Sequence, residues 1–119
     1  MESEKIFQTI SFAYGAGEYK RGQSAYQGQI VLSAHKLYLR DAEGDIADTF
    51  IPLEKIYRVR QGFGGGVARF DVRPSPFMQF EAVIKGDSQN IRALIRHVVS
   101  RRHLTRKGWR REWIDPEIV

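Results

Sequence analysis

The stretch from Gly28 to Leu53, GQIVLSAHKLYLRDAEGDIADTFIPL, most constrains what this chain can become. Ile30 and Leu32 alternate with Gln29 and Ser33, and Leu37 and Leu39 alternate with Lys36, Tyr38 and Arg40. A period of two in short runs is the pattern of strands with one buried face. Asp41-Ala42-Glu43-Gly44-Asp45 reads as a turn, because Gly reaches positive φ without strain and Asp bonds its own backbone. Ile46 to Ile51 resumes an extended run, and Pro52 closes it by withholding a ladder donor. The result is an antiparallel meander to which every other segment must be fitted.

The flanks extend it. Lys5 to Phe12 is rich in β-branched and aromatic residues and forms a first strand. Residues 14–23 are loop-like, with Gly15, Gly17 and Gly22 close together. Tyr26 to Ser33 and Lys36 to Arg40 are the second and third strands, joined through Ser33-Ala34-His35. Ile46 to Ile51 is the fourth, with untidy alternation that fits a bulge. Pro52 to Lys55 turns into a fifth strand, Ile56 to Gln61. Gly62-Phe63-Gly64-Gly65-Gly66 is a hairpin loop. In Ala68 to Arg73, Phe70 and Val72 face inward while Arg69, Asp71 and Arg73 face out, and Pro74-Ser75-Pro76 breaks the run. Met78, Phe80, Ala82 and Ile84 share one face of a seventh strand, with Gln79, Glu81 and Lys85 opposite.

Gly86-Asp87-Ser88 ends that strand and offers a helix N-cap at Asp87 or Ser88. Ile91, Leu94, Ile95, Val98 and Val99 then form one apolar stripe at helical spacing, with Arg92, Arg96 and Ser100 on the other side. Such a stripe must be buried, and the sheet is the surface available. Gly108 limits the helix at its C-terminal side. We therefore expect one domain over residues 1–104 and a basic, Trp-containing C-terminal tail over residues 105–119.

A chain of 119 residues, 42% apolar and 12% aromatic, suffices for one core and one domain. It has no cysteine, so disulfides and thiolate metal sites are excluded. That composition suits a reducing compartment, and the expected location is cytoplasmic, peripheral to a membrane if lipid is the ligand. The first ten residues hold charges and no apolar run, unlike a signal peptide. No stretch approaches the roughly 20 apolar residues of a membrane span. Charge is uneven: residues 1–87 hold eleven Lys/Arg and eleven Asp/Glu, whereas residues 88–119 hold eight against three. The whole net charge of +5 lies in the helix and tail, which points either to a solvated helix face or to an acidic partner at that end.

Gly28-Gln29-Ile30-Val31-Leu32-Ser33-Ala34-His35-Lys36-Leu37-Tyr38-Leu39-Arg40-Asp41 resembles the G-x-L-x-L-T-x-x-R-L-x-x-x-D strand pair of GRAM and GLUE domains. Phe50-Ile51-Pro52-Leu53-Glu54-Lys55-Ile56 is similar to the x-I-P-L-x-x-I segment that follows it there. With seven strands and one C-terminal helix, the chain resembles the pleckstrin-homology (PH) superfold over roughly residues 5–104. The resemblance implies a mainly β fold, a seven-stranded antiparallel barrel or sandwich capped by one α-helix. Lipid binders of the superfold use a basic cluster on the first two strands and their loop. Here Lys20 and Arg21 are the only basic pair in that loop, and the second strand has no Lys or Arg.

The chemistry-bearing residues are few. The glycine loop 62–66 is followed by a strand, so it lacks the context of a nucleotide-binding turn. Its backbone N–H groups could still meet an anion beside Arg58, Arg60 and Arg69. The alternative is that Arg58 and Arg60, two apart on one strand face, are solvent-facing edge charges. His97 and His103 are six residues apart, about 240° round a helix, and do not share a metal. Asp41, Glu43, Asp45 and Asp48 cluster at one turn without the full Ca²⁺-loop spacing. No catalytic motif stands out, so no enzymatic activity, metal or cofactor is expected.

Residues 101–113 carry the strongest functional signal. Arg106, Lys107, Arg110 and Arg111 surround Trp109 and Trp113, which would share a face if the segment were helical. Arg and Trp suit a protein interface, a membrane surface or base stacking, or else the segment folds back on the domain. The leading expectation is a non-enzymatic binding or scaffolding module for a protein partner, or for a second copy of itself. Peripheral binding of anionic, phosphoinositide-type lipid is the alternative, and nucleic acid is a distant third.

Overall fold

A computed structural model of the chain describes residues 5–16, 26–41, 49–107 and 111–117. Nine strands are present among them: β1 (Lys5–Ala16), β2 (Tyr26–Leu32), β3 (Lys36–Asp41), β4 (Thr49–Pro52), β5 (Ile56–Gln61), β6 (Val67–Ser75), β7 (Met78–Lys85), β8 (Thr105–Arg106) and β9 (Glu112–Ile114). A 3₁₀ turn, Leu53–Lys55, joins β4 to β5, and one α-helix, α1 (Ser88–Arg102), follows β7. Hydrogen bonding orders the strands β4-β3-β2-β1-β7-β6-β5-β9-β8, with antiparallel pairing throughout. The fold is mainly β, as expected, but it is not a closed barrel: β4 and β8 are free ends of the ladder.

The sheet bends round a single core. Leu37, Leu39 and Ile51 from one end of the ladder join Val59, Phe70 and Ile84 from the other half in one buried cluster. Ile91, Leu94, Ile95 and Val98 of α1 close that cluster, as the stripe predicts. The pairing of β1 with β2 shifts between Phe7 and Ile10. Such an irregularity bends a strand. Pro74 lies inside β6, where the β6–β7 register also shifts between Val72 and Ser75, so the strand continues to Ser75 despite the missing donor.

Local chemistry fixes the turns. Ser33 Oγ accepts from the Lys36 N–H at 3.1 Å, and the Ser33 N–H donates to Lys36 O at 2.9 Å, closing the β2–β3 hairpin. In the β5–β6 hairpin, Gly62 N–H donates to Val67 O at 2.8 Å. Gly64 and Gly65 have φ of +87° and +84°, which side-chain-bearing residues rarely adopt. Asp87 caps the helix by accepting from the Gln89 N–H at 2.8 Å.

The C-terminal segment follows the fold-back alternative, and it does so as two strands. α1 ends at Arg102, well before Gly108. His103 takes the left-handed conformation (φ 53°), its N–H bonds Ser100 O, and Leu104 N–H bonds Val99 O at 3.1 Å. This is a Schellman turn, completed by burial of Leu104. The chain then reverses, and residues set apart above as a tail supply β8 and β9. β9 pairs with β5, placing Ile114 opposite Arg58, Trp113 opposite Val59 and Glu112 opposite Arg60. Trp113 packs half-buried against the core. Arg102 fastens the junction, donating from Nε to Ile56 O at 2.9 Å and from Nη2 to Asp115 Oδ2 at 3.1 Å. The sequence-based start of the fourth strand, at Ile46, lies outside the described residues.

Candidate functional site

Two arginine clusters result, and they differ in kind. Arg58, Arg60 and Arg69, expected beside the glycine loop as anion ligands or solvated edge charges, lie on the face of the sheet away from the core and are paired. Asp71 accepts from Arg58 Nε and, at 3.3 Å, from Arg60 Nη2. Glu81 accepts from the same Arg60 nitrogen and, at 2.8 Å, from Arg69 Nη1. Glu112 approaches Arg58 Nη1 at 3.8 Å. Three guanidinium groups thus meet three carboxylates.

The register explains why. Arg60 lies directly opposite Arg69, and Asp71 directly opposite Glu81. Like charges facing each other are unfavourable, and the diagonal Arg60–Asp71 and Arg69–Glu81 contacts relieve both. Asp71 and Glu81, expected on an outward face, are 5% and 6% exposed. Val83 beside them is buried too, so this second face is partly dry. Arg58 is held above its ordinary pKa: burial opposes the charge, but the hydrogen bond and field of Asp71, with Glu112 adding, outweigh it. An added anion finds no uncompensated charge here.

The second cluster lines an open groove of about 440 Å³ between α1 and the β8–β9 hairpin. Arg92 and Arg96 come from the helix, Arg106 from β8, and Arg111 from just before β9. Ile95, Val99 and Trp113 supply its apolar wall. No Asp or Glu is among the described residues that line it. Arg92, Arg96, Arg106 and Arg111 are all exposed. Gln61 organises one end: its Oε1 accepts from Arg111 Nη1 at 3.0 Å, and its Nε2 donates to Gly65 O at 3.2 Å. The groove runs there into a second depression bordered by Gly62 to Gly65, Ser88, Arg92 and Arg111. The basic residues beside the glycine loop are therefore Arg92 and Arg111, in place of Arg58, Arg60 and Arg69. Phe63, at the loop tip, is fully exposed.

The remaining expected residues scatter. Lys107 is exposed at the hairpin, its N–H bonding Glu112 O at 2.8 Å. Trp113 lies in a strand, so the shared helical face with Trp109 does not form. Lys20, Arg21, Trp109 and Arg110 lie outside the described residues, as do Glu43, Asp45 and Asp48 of the acidic turn. His97 is half-buried, with Nε2 3.2 Å from Ser33 O. No group of three or more His, Asp or Glu that could hold a metal occurs among the described residues. No helix among them is long and apolar enough to cross a membrane.

Sequence reasoning missed Arg92 and Arg96 as site residues because it assigned them to a solvated helix face. The signal that could have found them is the charge imbalance of residues 88–119, which places helix and hairpin arginines in one pool. The fold and groove define a small mainly β domain with one covering helix and a basic, partly apolar surface groove. The sequence matches no protein-family model and no curated protein.

Proposed function

We propose that this chain is a non-enzymatic binding module of PH-like architecture that engages a protein partner, taking an acidic segment of it into the groove between α1 and the C-terminal hairpin. One observation carries the reading: four arginines from three separate segments converge on one groove whose described lining has no carboxylate. Arg forks suit carboxylate and phosphate, and the wall of Ile95, Val99 and Trp113 adds apolar contact beside them. The PH-like assignment is supported by chain order, two consecutive meanders (β1–β4 and β5–β7) joined through β1 and β7 and followed by one helix.

Anionic lipid is a second reading, favoured by Phe63. This fully exposed aromatic sits on a glycine-rich tip beside Arg92 and Arg111, a pairing suited to insertion at a charged membrane surface.

The test uses a fluorescein-labelled peptide alternating Glu with Leu, its Lys/Leu counterpart, and phosphatidylcholine vesicles with and without phosphatidylserine. The protein reading expects saturable binding of the Glu/Leu peptide alone, weakened by salt and by about tenfold or more in Arg92→Glu/Arg96→Glu. Salt-sensitive pelleting with phosphatidylserine vesicles, lost in Phe63→Ser, would install the lipid reading in its place. Binding of neither probe at low salt removes both.

A further inference from the structure

We infer that the groove is a site for a small amphiphilic anion, an aromatic or alkyl body bearing one carboxylate, sulfonate or phosphate, and that it holds such a ligand without a macromolecular partner attached. The inference rests on the reading of the groove as the recognition surface and adds the chemistry of the group that fills it.

Three features support it. The volume, about 440 Å³, lies in the range of small-ligand pockets, roughly 300–1,000 Å³. Its lining is split by chemistry: Ile95, Val99 and Trp113 give an apolar wall, and Arg92, Arg96, Arg106 and Arg111 give cationic groups. A hydrophilic anion would leave the wall wet, and an apolar molecule would make no use of the cationic groups, so a ligand with both parts matches the lining. The groove is also partly pre-organised. Arg111 is fixed by Gln61, Gln61 is fixed by Gly65 O, and the Gln61 N–H bonds Arg111 O at 2.9 Å. Trp113 is held in register by β5 on one side and β8 on the other. Little rotamer freedom is lost there on binding.

Not every depression shares this split. The one beside β4, about 570 Å³, mixes Lys36, Arg101 and Arg102 with Glu54. Lys36 Nζ there lies 4.5 Å above the Phe50 ring, already engaged.

The probes are 8-anilinonaphthalene-1-sulfonate, an aromatic anion, and N-phenyl-1-naphthylamine, which has a similar body without the sulfonate. Each is titrated by fluorescence into the whole chain at about 20 mM salt, where exposed charges are least screened. The sulfonate probe should saturate at one per chain, and decanoate should displace it. Arg92→Glu/Arg96→Glu should weaken it about tenfold or more and leave the neutral probe unchanged. Val99→Trp, which crowds the apolar wall, should abolish it. Coincident urea curves for these variants and the parent show that they remain folded. Equal binding of both probes, indifferent to charge reversal, overturns the inference in favour of a generic apolar surface. Absence of saturable sulfonate binding also overturns it. If the Glu/Leu peptide still binds in an Arg92- and Arg96-dependent way, only the inference falls and the proposed function stands.

Discussion

Replacing Asp71 by Asn separates a structural role for the sheet-face arginines from a ligand-binding one. The Asp71 side chain is 7% exposed and accepts from both Arg58 and Arg60. Removing one member of a fully buried ion pair costs about 3–5 kcal/mol, chiefly because the partner charge is left desolvated. Here the cost is smaller for two reasons. The Arg58 and Arg60 side chains are 33% and 32% exposed, so water recovers part of their solvation. Each also keeps a second carboxylate, Glu112 at 3.8 Å for Arg58 and Glu81 for Arg60. Asn retains one acceptor oxygen but turns an amine toward the guanidinium groups. The expected loss is therefore about 2 kcal/mol, some 6–10 °C in Tm for a domain of this size. Urea unfolding followed by far-ultraviolet circular dichroism measures it, with an unchanged m-value showing that the denatured state is not what changed. The loss should persist in about 0.5 M salt, since a partly buried network is screened less than a surface pair. A loss below about 0.5 kcal/mol would refute the reasoning. It would mean that Asp71 is solvated and that Arg58 and Arg60 are free to meet an anion, as the sequence alone allowed.

Two further substitutions test the ends of α1. His103→Gly should raise stability by about 0.5–1 kcal/mol, because Gly takes the left-handed position without a Cβ penalty, which exceeds its extra unfolded-state entropy; His103→Ala should not, and an equal effect of both would refute the Schellman assignment. Asp87→Ala should cost about 1 kcal/mol through loss of the bond to the Gln89 N–H, with faster hydrogen exchange at that amide, and unchanged exchange there would refute the cap.

Much of the fold was legible in period and punctuation. β7 has the bounds read from alternation and β5 those set by its flanking turns, Asp87 is the one of the two offered N-caps that is used, and the helix stripe packs as its spacing requires. What failed depends on contacts remote in sequence. Alternation puts Asp71 and Glu81 on an outward face, but only the cross-strand register reveals that Asp71 meets Arg58 and Arg60 of β5, that Glu81 meets Arg60 of β5 and Arg69 of β6, and that both are buried. Gly108 bounds the helix only loosely, whereas the actual stop is set by His103 in the left-handed position and by the closing apolar contact of Leu104. β8 and β9 are two and three residues long. Runs that short carry no periodicity, and β9 exists because the edge of β5 is there to receive it. The groove could not be read at all, since it forms only when that hairpin folds back beside α1.

The contrast between the two arginine clusters is what gives the groove its meaning. On the sheet face the fold neutralises its own charge at short range, even at the expense of burying Asp71 and Glu81. The same chain, with the same residue type, gathers Arg92, Arg96, Arg106 and Arg111 on one groove and gives its described lining no acidic residue. Stability alone does not favour this. Like charges brought within a Debye length, about 10 Å at 0.1 M salt, repel. Nor is the hairpin attached chiefly through the groove arginines. β9 is joined to β5 by backbone pairing, by Trp113 against the core, and by Asp115, whose N–H bonds Tyr57 O at 2.9 Å and whose carboxylate meets Arg102. Arg111 adds its own bonds to Gln61, and Arg106 pairs with Trp113 across the β8–β9 ladder. A domain that pairs its arginines wherever its own packing decides, and leaves carboxylates out of the described lining of one groove, has the arrangement that the proposed capture of an outside anion requires.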